Sequence, residues 1–244
     1  ADYTSSSGSI SILAGQLTNT LTITVNNDEL VESAETFTVS LNNAVNASSI
    51  TDGTAIATIT DNDSYPTLSW SSTNMTVFEG NAANITFNLS KTYPEDITFN
   101  VSTTNGTAVA GEDYVGKASE LITITGGQTS SSISINTLSD STYEGATQSF
   151  TVNISALTNV TTSTTSGSVN ITDLDSPPTI SISSASTVAE EDGVTSFTLS
   201  LSHKTVQTVG VNYTTSNGSA VSGSDYTLKS GSVNFSPGEI TKNI

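Results

Sequence analysis

Ten acidic residues fall between positions 64 and 175, and seven of them share one spacing pattern: Glu79, Glu112, Asp113, Asp140, Glu144, Asp173 and Asp175 each lie just beyond a run of alternating apolar and polar residues. No Lys or Arg stands in those four segments. Carboxylates brought together without a basic partner repel one another at neutral pH, and a hard divalent cation relieves that repulsion directly. Calcium takes six to eight oxygens in a flexible geometry, which suits ligands from separate loops, whereas magnesium demands a near-ideal octahedron. Zinc would call for His or Cys. The competing reading is that the acids only solvate an exposed tip.

Whether the seven meet depends on the elements that carry them. Period-two runs such as Ile85-Thr-Phe87-Asn-Leu89, Ile97-Thr-Phe99-Asn-Val101 and Phe150-Thr-Val152-Asn-Ile154, separated by Gly, Asn, Asp and Ser, predict half-buried strands. No stretch has helical spacing. Seven strands are expected, at 68–78, 85–90, 97–104, 114–124, 132–137, 149–155 and 167–172, with Gly126-Gly127 marking a hairpin turn. That number of short strands predicts an all-β, immunoglobulin-like antiparallel sandwich. Successive strands reverse direction, so alternate loops emerge at the same pole. The seven acids then share one pole, while Glu95 and Asp96 fall at the other and Glu120 within a strand.

The pattern is repeated along the chain. Asn105-Gly-Thr-Ala-Val-Ala-Gly-Glu-Asp113-Tyr114 returns as Asn217-Gly-Ser-Ala-Val-Ser-Gly-Ser-Asp225-Tyr226, and Ile59-Thr-Asp61-Asn-Asp63 returns as Ile171-Thr-Asp173-Leu-Asp175, both 112 positions later. The opening Ala1-Asp2-Tyr3 joins the first series. A period of this length is a whole domain rather than a solenoid repeat. The expected organisation is the C-terminal half of a module at 1–63, a complete module at 64–175 and the N-terminal part of a third at 176–244. Tyr65-Pro66 and Pro177-Pro178 mark stiff, short joints and predict a rod-like array.

Composition narrows the function classes. The 244 residues hold 85 Ser and Thr, five Lys, no Arg and 23 acids, for a net charge of −18, which argues against nucleic-acid binding. The absence of Cys removes disulfides and thiol chemistry. No run approaches the length of a membrane-spanning helix. His203, the only histidine, has no catalytic partner at a repeated position, and the acids lack the aromatic platform that a sugar-cleaving pair needs. Trp70 shares its alternation with Leu68 and reads as a core plug. Thr-rich faces such as Thr20-x-Thr22-x-Thr24 read as ordinary sheet solvation, and Gly126-Gly127 lacks the Lys and helix of a phosphate loop. Nothing here points to an enzyme.

Val77-x-Glu79-Gly80, the Asn105–Tyr114 segment, Asp140-x-x-x-Glu144 and the closing Ile171-Thr-Asp173-x-Asp175 together resemble the Calx-β domain family. The resemblance spans the whole chain. It implies calcium as the bound ion, with ligands Glu79, Asp113, Asp140, Glu144, Asp173 and Asp175 in the complete module. In the first module it implies Asp2, Asp28, Glu32, Glu35, Asp61 and Asp63, and in the third Glu190 and Asp225. Gln148 replaces the counterpart of Glu35, Leu174 interrupts the closing acids, and Ser139 and Asn27 precede the central Asp where the family often has an acid. Fewer or more weakly held ions are the expected consequence.

Thirteen Asn-x-Ser/Thr triplets occur, several on the outward phase of predicted strands, and Asn84, Asn88, Asn100, Asn153, Asn170 and Asn212 are candidates for N-glycosylation. The expected function is that of an extracellular, cell-surface structural repeat protein that binds calcium at its joints and forms a stalk or adhesin segment. Its partners would be neighbouring modules or copies of itself, with cell-surface or carbohydrate ligands reached through other domains. The alternative is a subunit of a polymeric filament or surface layer, in which half-modules of neighbouring chains complete one another.

Overall fold

A computed structural model of the chain describes residues 2–145, 147–184 and 187–244; Ala1 of the opening landmark lies outside them. The elements are almost entirely strands: β1 (Glu35–Ser40), β2 (Thr54–Ile59), β3 (Leu68–Trp70), β4 (Asn74–Phe78), β5 (Ala82–Leu89), β6 (Ile97–Asn105), β7 (Glu120–Ile124), β8 (Ser130–Asn136), β9 (Gln148–Thr158), β10 (Ser166–Thr172), β11 (Ile180–Ile182), β12 (Thr198–Leu201), β13 (Val209–Thr214), β14 (Ser230–Phe235) and β15 (Thr241–Asn243). Among the described residues a single 3-10 turn, Glu190–Asp192, interrupts them. β-branched residues on a two-residue period explain why strands form: their stiff side chains fit a pleated, half-buried surface.

Strands β3 to β10 build a two-sheet sandwich, with order β3-β5-β8 in one sheet and β4-β10-β9-β6-β7 in the other. The inward phase of both supplies the core, where Phe87 of β5 and Phe99 of β6 meet edge to face at 4.9 Å and are fully buried. Trp70 leans on Phe87 at 5.1 Å and its indole N–H donates to the Thr164 carbonyl at 3.0 Å, consistent with a plug at the edge of the core.

Three expectations need correction. The strand expected at 114–124 forms only over Glu120–Ile124, where it pairs with β6, and 115–119 is irregular. The strand expected at 68–78 is two strands, because the chain crosses between sheets at 71–73. Its first part, β3, pairs antiparallel with β5, and its second, β4, pairs in parallel with β10. The Gly126-Gly127 turn does form, with the Gln128 N–H donating to the Thr125 carbonyl at 2.9 Å, but it does not close a hairpin. β7 pairs with β6 and β8 with β5, so the turn passes the chain from one sheet to the other. Local turn chemistry is the same in both cases. Only the pairing partner tells them apart.

In the first repeat β1 pairs with β2, and Tyr3 stacks on Phe37 at 4.3 Å as Tyr114 stacks on Phe150 at 3.9 Å. In the third, β12 pairs with β11 and β15, while β13 pairs with β14. Asn84, Asn88, Asn100, Asn153, Asn170 and Asn212 all sit on outward strand positions. The residue two places on shares that face, and there Ser and Thr dominate, so strand geometry by itself favours the Asn-x-Ser/Thr spacing. Among the described residues no helix is long and apolar enough to cross a membrane.

Candidate metal centre

Four connections end at one pole of the central sandwich. Glu79 follows β4, Asp113 lies in the 106–119 segment after β6, Asp140 and Glu144 lie in the 137–147 segment after β8, and Asp173 and Asp175 follow β10. The four elements run the same way, so residues up to 96 positions apart in sequence converge. One cavity is lined by Glu79, Asp113, Asp140, Glu144 and Asp173 together with Leu138, Gln148 and Ile171. Oxygens of Glu79, Glu144 and Asp173 lie within 4.8 Å of one another, as do oxygens of Glu79, Asp140 and Asp175. Glu79 belongs to both groups and is 8 % exposed.

Local structure explains how each acid is held. Gly80, at φ +74°, lets the chain reverse immediately after Glu79, in a region L side chains rarely adopt. The Asn105–Tyr114 segment is a self-closed loop. The Asn105 Oδ1 accepts from the Ala110 N–H at 3.0 Å and the Tyr114 hydroxyl at 2.7 Å, and the Asp113 Oδ2 accepts from the Val109 N–H at 2.6 Å. A Cβ on Gly106 would stand 2.5 Å from the Ser149 carbonyl oxygen, so the segment tolerates only glycine there. The same lock recurs at Asn217, Tyr226 and Asp225. Sequence reasoning used this motif as a repeat marker and missed Asn105 as a positioning residue. Its fixed spacing to Tyr114 was the available signal.

Asp173 ties the loops together through both oxygens: Oδ1 accepts from the Asp175 N–H at 2.7 Å and Oδ2 from the Glu144 N–H at 2.8 Å. Asp61 repeats this in the first repeat with Asp63 at 2.9 Å and Glu32 at 3.0 Å. Asp140 and Asp28 likewise each accept from the N–H two residues on.

The electrostatics are those of crowded like charges. Burial, joined by the charges of Asp140, Asp173, Glu79 and Asp113, pushes the Glu144 carboxyl up to about 7. Burial also raises Glu79, with Asp175 and Asp173 adding to it. Asp175 Oδ2 is buried without a hydrogen-bond partner. An orphaned buried carboxylate oxygen is costly, and the Asp175 carboxylate stands among acids, with an oxygen within 4.8 Å of Glu79 and Asp140. The acids offer oxygen alone, with no His or Cys among them, which fits a hard cation such as calcium and disfavours zinc.

The first repeat assembles a more open counterpart. Asp2, Asp28 and Glu32 offer oxygens within 4.8 Å, and Asp61 and Asp63 line the same depression. A side-chain hydrogen bond joins Glu35 to Asp2, raising Glu35 and lowering Asp2. Gln148 lines the corresponding position of the central cavity without a charge. Glu190 and Asp225 are exposed and join no group of three among the described residues.

The acidic pole also meets the next repeat. Tyr143 forms a parallel bridge to Thr205: its N–H donates to the Lys204 carbonyl at 3.0 Å, and its carbonyl accepts from the Val206 N–H at 3.2 Å and the Thr205 hydroxyl at 2.7 Å. One repeat earlier the Val31 N–H donates to the Tyr93 hydroxyl at 3.3 Å, and Leu30 and Val31 pack on the central core. Tyr93 and Thr205 occupy equivalent positions and both are buried.

The Calx-beta domain family model matches three consecutive segments, residues 1–63, 61–175 and 173–244. No curated protein matches the chain. Similar solved structures include the apo-form Calx CBD1 domain, with 19% identity over 45% of this chain and 98% of that one at a TM-score of 0.42. They also include CBD12 from CALX1.2, with 20% identity over 72% of each chain and a TM-score of 0.42. The Calx CBD2 domain matches at 15% identity over 43% of this chain and 84% of that one, with a TM-score of 0.39.

Proposed function

The chain belongs to the Calx-beta domain family, and on that premise we propose that its repeats bind calcium at their joints and form a stiff structural segment outside the cell, a stalk or part of an adhesin. The observation that carries this reading is the pair of carboxylate groups sharing Glu79, with the orphaned Asp175 Oδ2 beside them. Glu79, Asp140, Glu144, Asp173 and Asp175 would hold the ion or ions, with Asp113 completing the shell. Asp2, Asp28, Glu32, Asp61 and Asp63, with Glu35 behind them, would do the same one repeat earlier. When bound, calcium neutralises repulsion that otherwise loosens four loops. The chain's own part is to present those loops and to anchor them, through Tyr143 and Val31, on the following repeat.

Asp140 is exposed and the first-repeat group is open, which favours weak rather than tight calcium binding. An extracellular location belongs to the same proposal. Sugars on Asn84 and Asn212, the most exposed strand candidates, would fit the same setting, and intact mass of natively produced protein tests for them.

Calorimetry of the full chain with calcium is the direct test, with binding expected to weaken strongly in Glu79→Gln. Distances between spin labels on adjacent repeats should narrow in spread when calcium replaces chelator. Absence of saturable heat, or label distances indifferent to calcium, would remove the proposal.

A polymer subunit is the second reading. Among the described residues β1 pairs only with β2 and β13 only with β14, whereas their counterparts β9 and β6 pair with each other. Sedimentation over a range of concentrations separates the two: the polymer reading requires growth beyond a monomer.

A further inference from the structure

The first and last strands of the five-stranded sheet, in chain order, are neighbours and run in the same direction. β4 pairs with β10 from Asn74↔Ser168 to Phe78↔Thr172. The ladder is extended at both ends by backbone bonds, the Ser168 N–H donating to the Thr73 carbonyl at 2.8 Å and the Glu79 N–H donating to the Thr172 carbonyl at 3.0 Å. On the outer face the Asn170 amide donates to Asn74 Oδ1 at 2.8 Å, and on the inner face Val169 and Ile171 are core residues.

Tension along an array enters this unit ahead of β4 and leaves it after β10. The pull on β4 is directed toward its N-terminal end and the pull on β10 toward its C-terminal end. Because the strands are parallel, they are drawn past each other lengthwise. Every bond of the ladder then shares the load and must yield nearly together. A pair opened from one end loses its bonds one by one, and each alone contributes little net stability. The incoming segment is also held upstream, by β3 with β5 over three residue pairs and by the parallel Thr67–Thr161 bridge, where the Leu68 N–H donates to the Thr161 carbonyl at 2.7 Å and the Thr161 N–H to the Pro66 carbonyl at 3.0 Å; both holds are shorter than the β4–β10 ladder.

We propose that the β4–β10 pair is the force-bearing element of the repeat, loaded in shear by tension along the chain. A second part rests on the calcium reading above. Glu79 directly follows β4 and Asp173 and Asp175 directly follow β10, with the Leu174 N–H already donating to Glu79 Oε1 at 3.1 Å. A cation shared by these carboxylates staples the two loaded strands at the end where the chain leaves.

Forced unfolding is governed by the unfolding barrier, so single-molecule pulling reads this directly. The full chain is pulled in chelator in two geometries. One uses handles at its ends, with the central repeat recognised by the length released from 64–175. The other uses handles on Thr73→Cys and Ser166→Cys, exposed positions at the same end of the parallel pair, in a chain with no other cysteine. The expected result is a several-fold higher force for the end geometry. Equal forces overturn the clamp. Calcium is then added: a rise confined to the end geometry supports the staple, and no rise overturns the staple while the chelator comparison stands on its own. Thermal melts of the double-cysteine chain establish that it is folded. If it is not, handles on Ser72→Cys and Thr165→Cys repeat the comparison.

Discussion

The Tyr114 hydroxyl donates to Asn105 Oδ1, and the tyrosine has no solvent exposure. Asn105→Ala therefore strands a buried phenol and frees the Ala110 N–H, a cost of about 1–3 kcal/mol. It should also loosen Asp113, so chemical denaturation and calcium titration should both register the change. Unchanged calcium affinity would show that the loop lock does not serve the acids. The raised carboxyls predict a pH response with a definite sign. Glu144 and Glu79 bind protons more readily folded than unfolded, so in chelator their contribution is fully present below the ordinary Glu range and is lost as pH rises through their raised values, about 7 for Glu144. The melting temperature of the calcium-free chain should accordingly fall between about pH 5 and pH 7.5. Glu144→Gln should flatten that fall, and calcium should reverse it; a flat profile in wild type would contradict the crowding described.

Between elements, the joint at Tyr143 and Thr205 is a backbone bridge held by a buried hydroxyl that donates to the Tyr143 carbonyl and accepts from the Gln207 N–H. Thr205→Val keeps the shape and removes both bonds, at about 1 kcal/mol. Hydrogen exchange at the Tyr143 and Val206 amides should accelerate, while exchange in β10 stays as it was. Equal acceleration in both would mean that the substitution acts on the whole fold rather than on the joint. The equivalent Tyr93 shows that one position serves two chemistries, a ring with an accepting hydroxyl in one joint and a β-bridge in the other.

For the molecule as a whole, a net charge of −18 with carboxylates concentrated at repeat boundaries predicts a salt response that depends on calcium. In chelator, raising ionic strength should stabilise the chain, because exposed charges are screened within about 10 Å at 0.1 M salt. With calcium bound the same salt series should have little effect on the melting temperature. A salt effect of equal size in both states would show that the charges act diffusely and that the grouped sites contribute little.

Most strand positions, the outward and inward faces and the pole shared by Glu79, Asp113, Asp140 and Asp173 were legible in the residues alone, because alternation has a period of two and antiparallel neighbours reverse direction. The repeat at 112 positions made the first-repeat group legible in the same way. What the residues could not express is which strands become neighbours. The split of 68–78 into β3 and β4, the passage of Gly126-Gly127 between sheets and the parallel seating of β4 on β10 all follow from pairing choices at long sequence separation. Whether Glu190 and Asp225 meet further acids was equally beyond local pattern. Periodicity is a property of each segment by itself, whereas pairing is decided by which edges the packed core leaves facing each other.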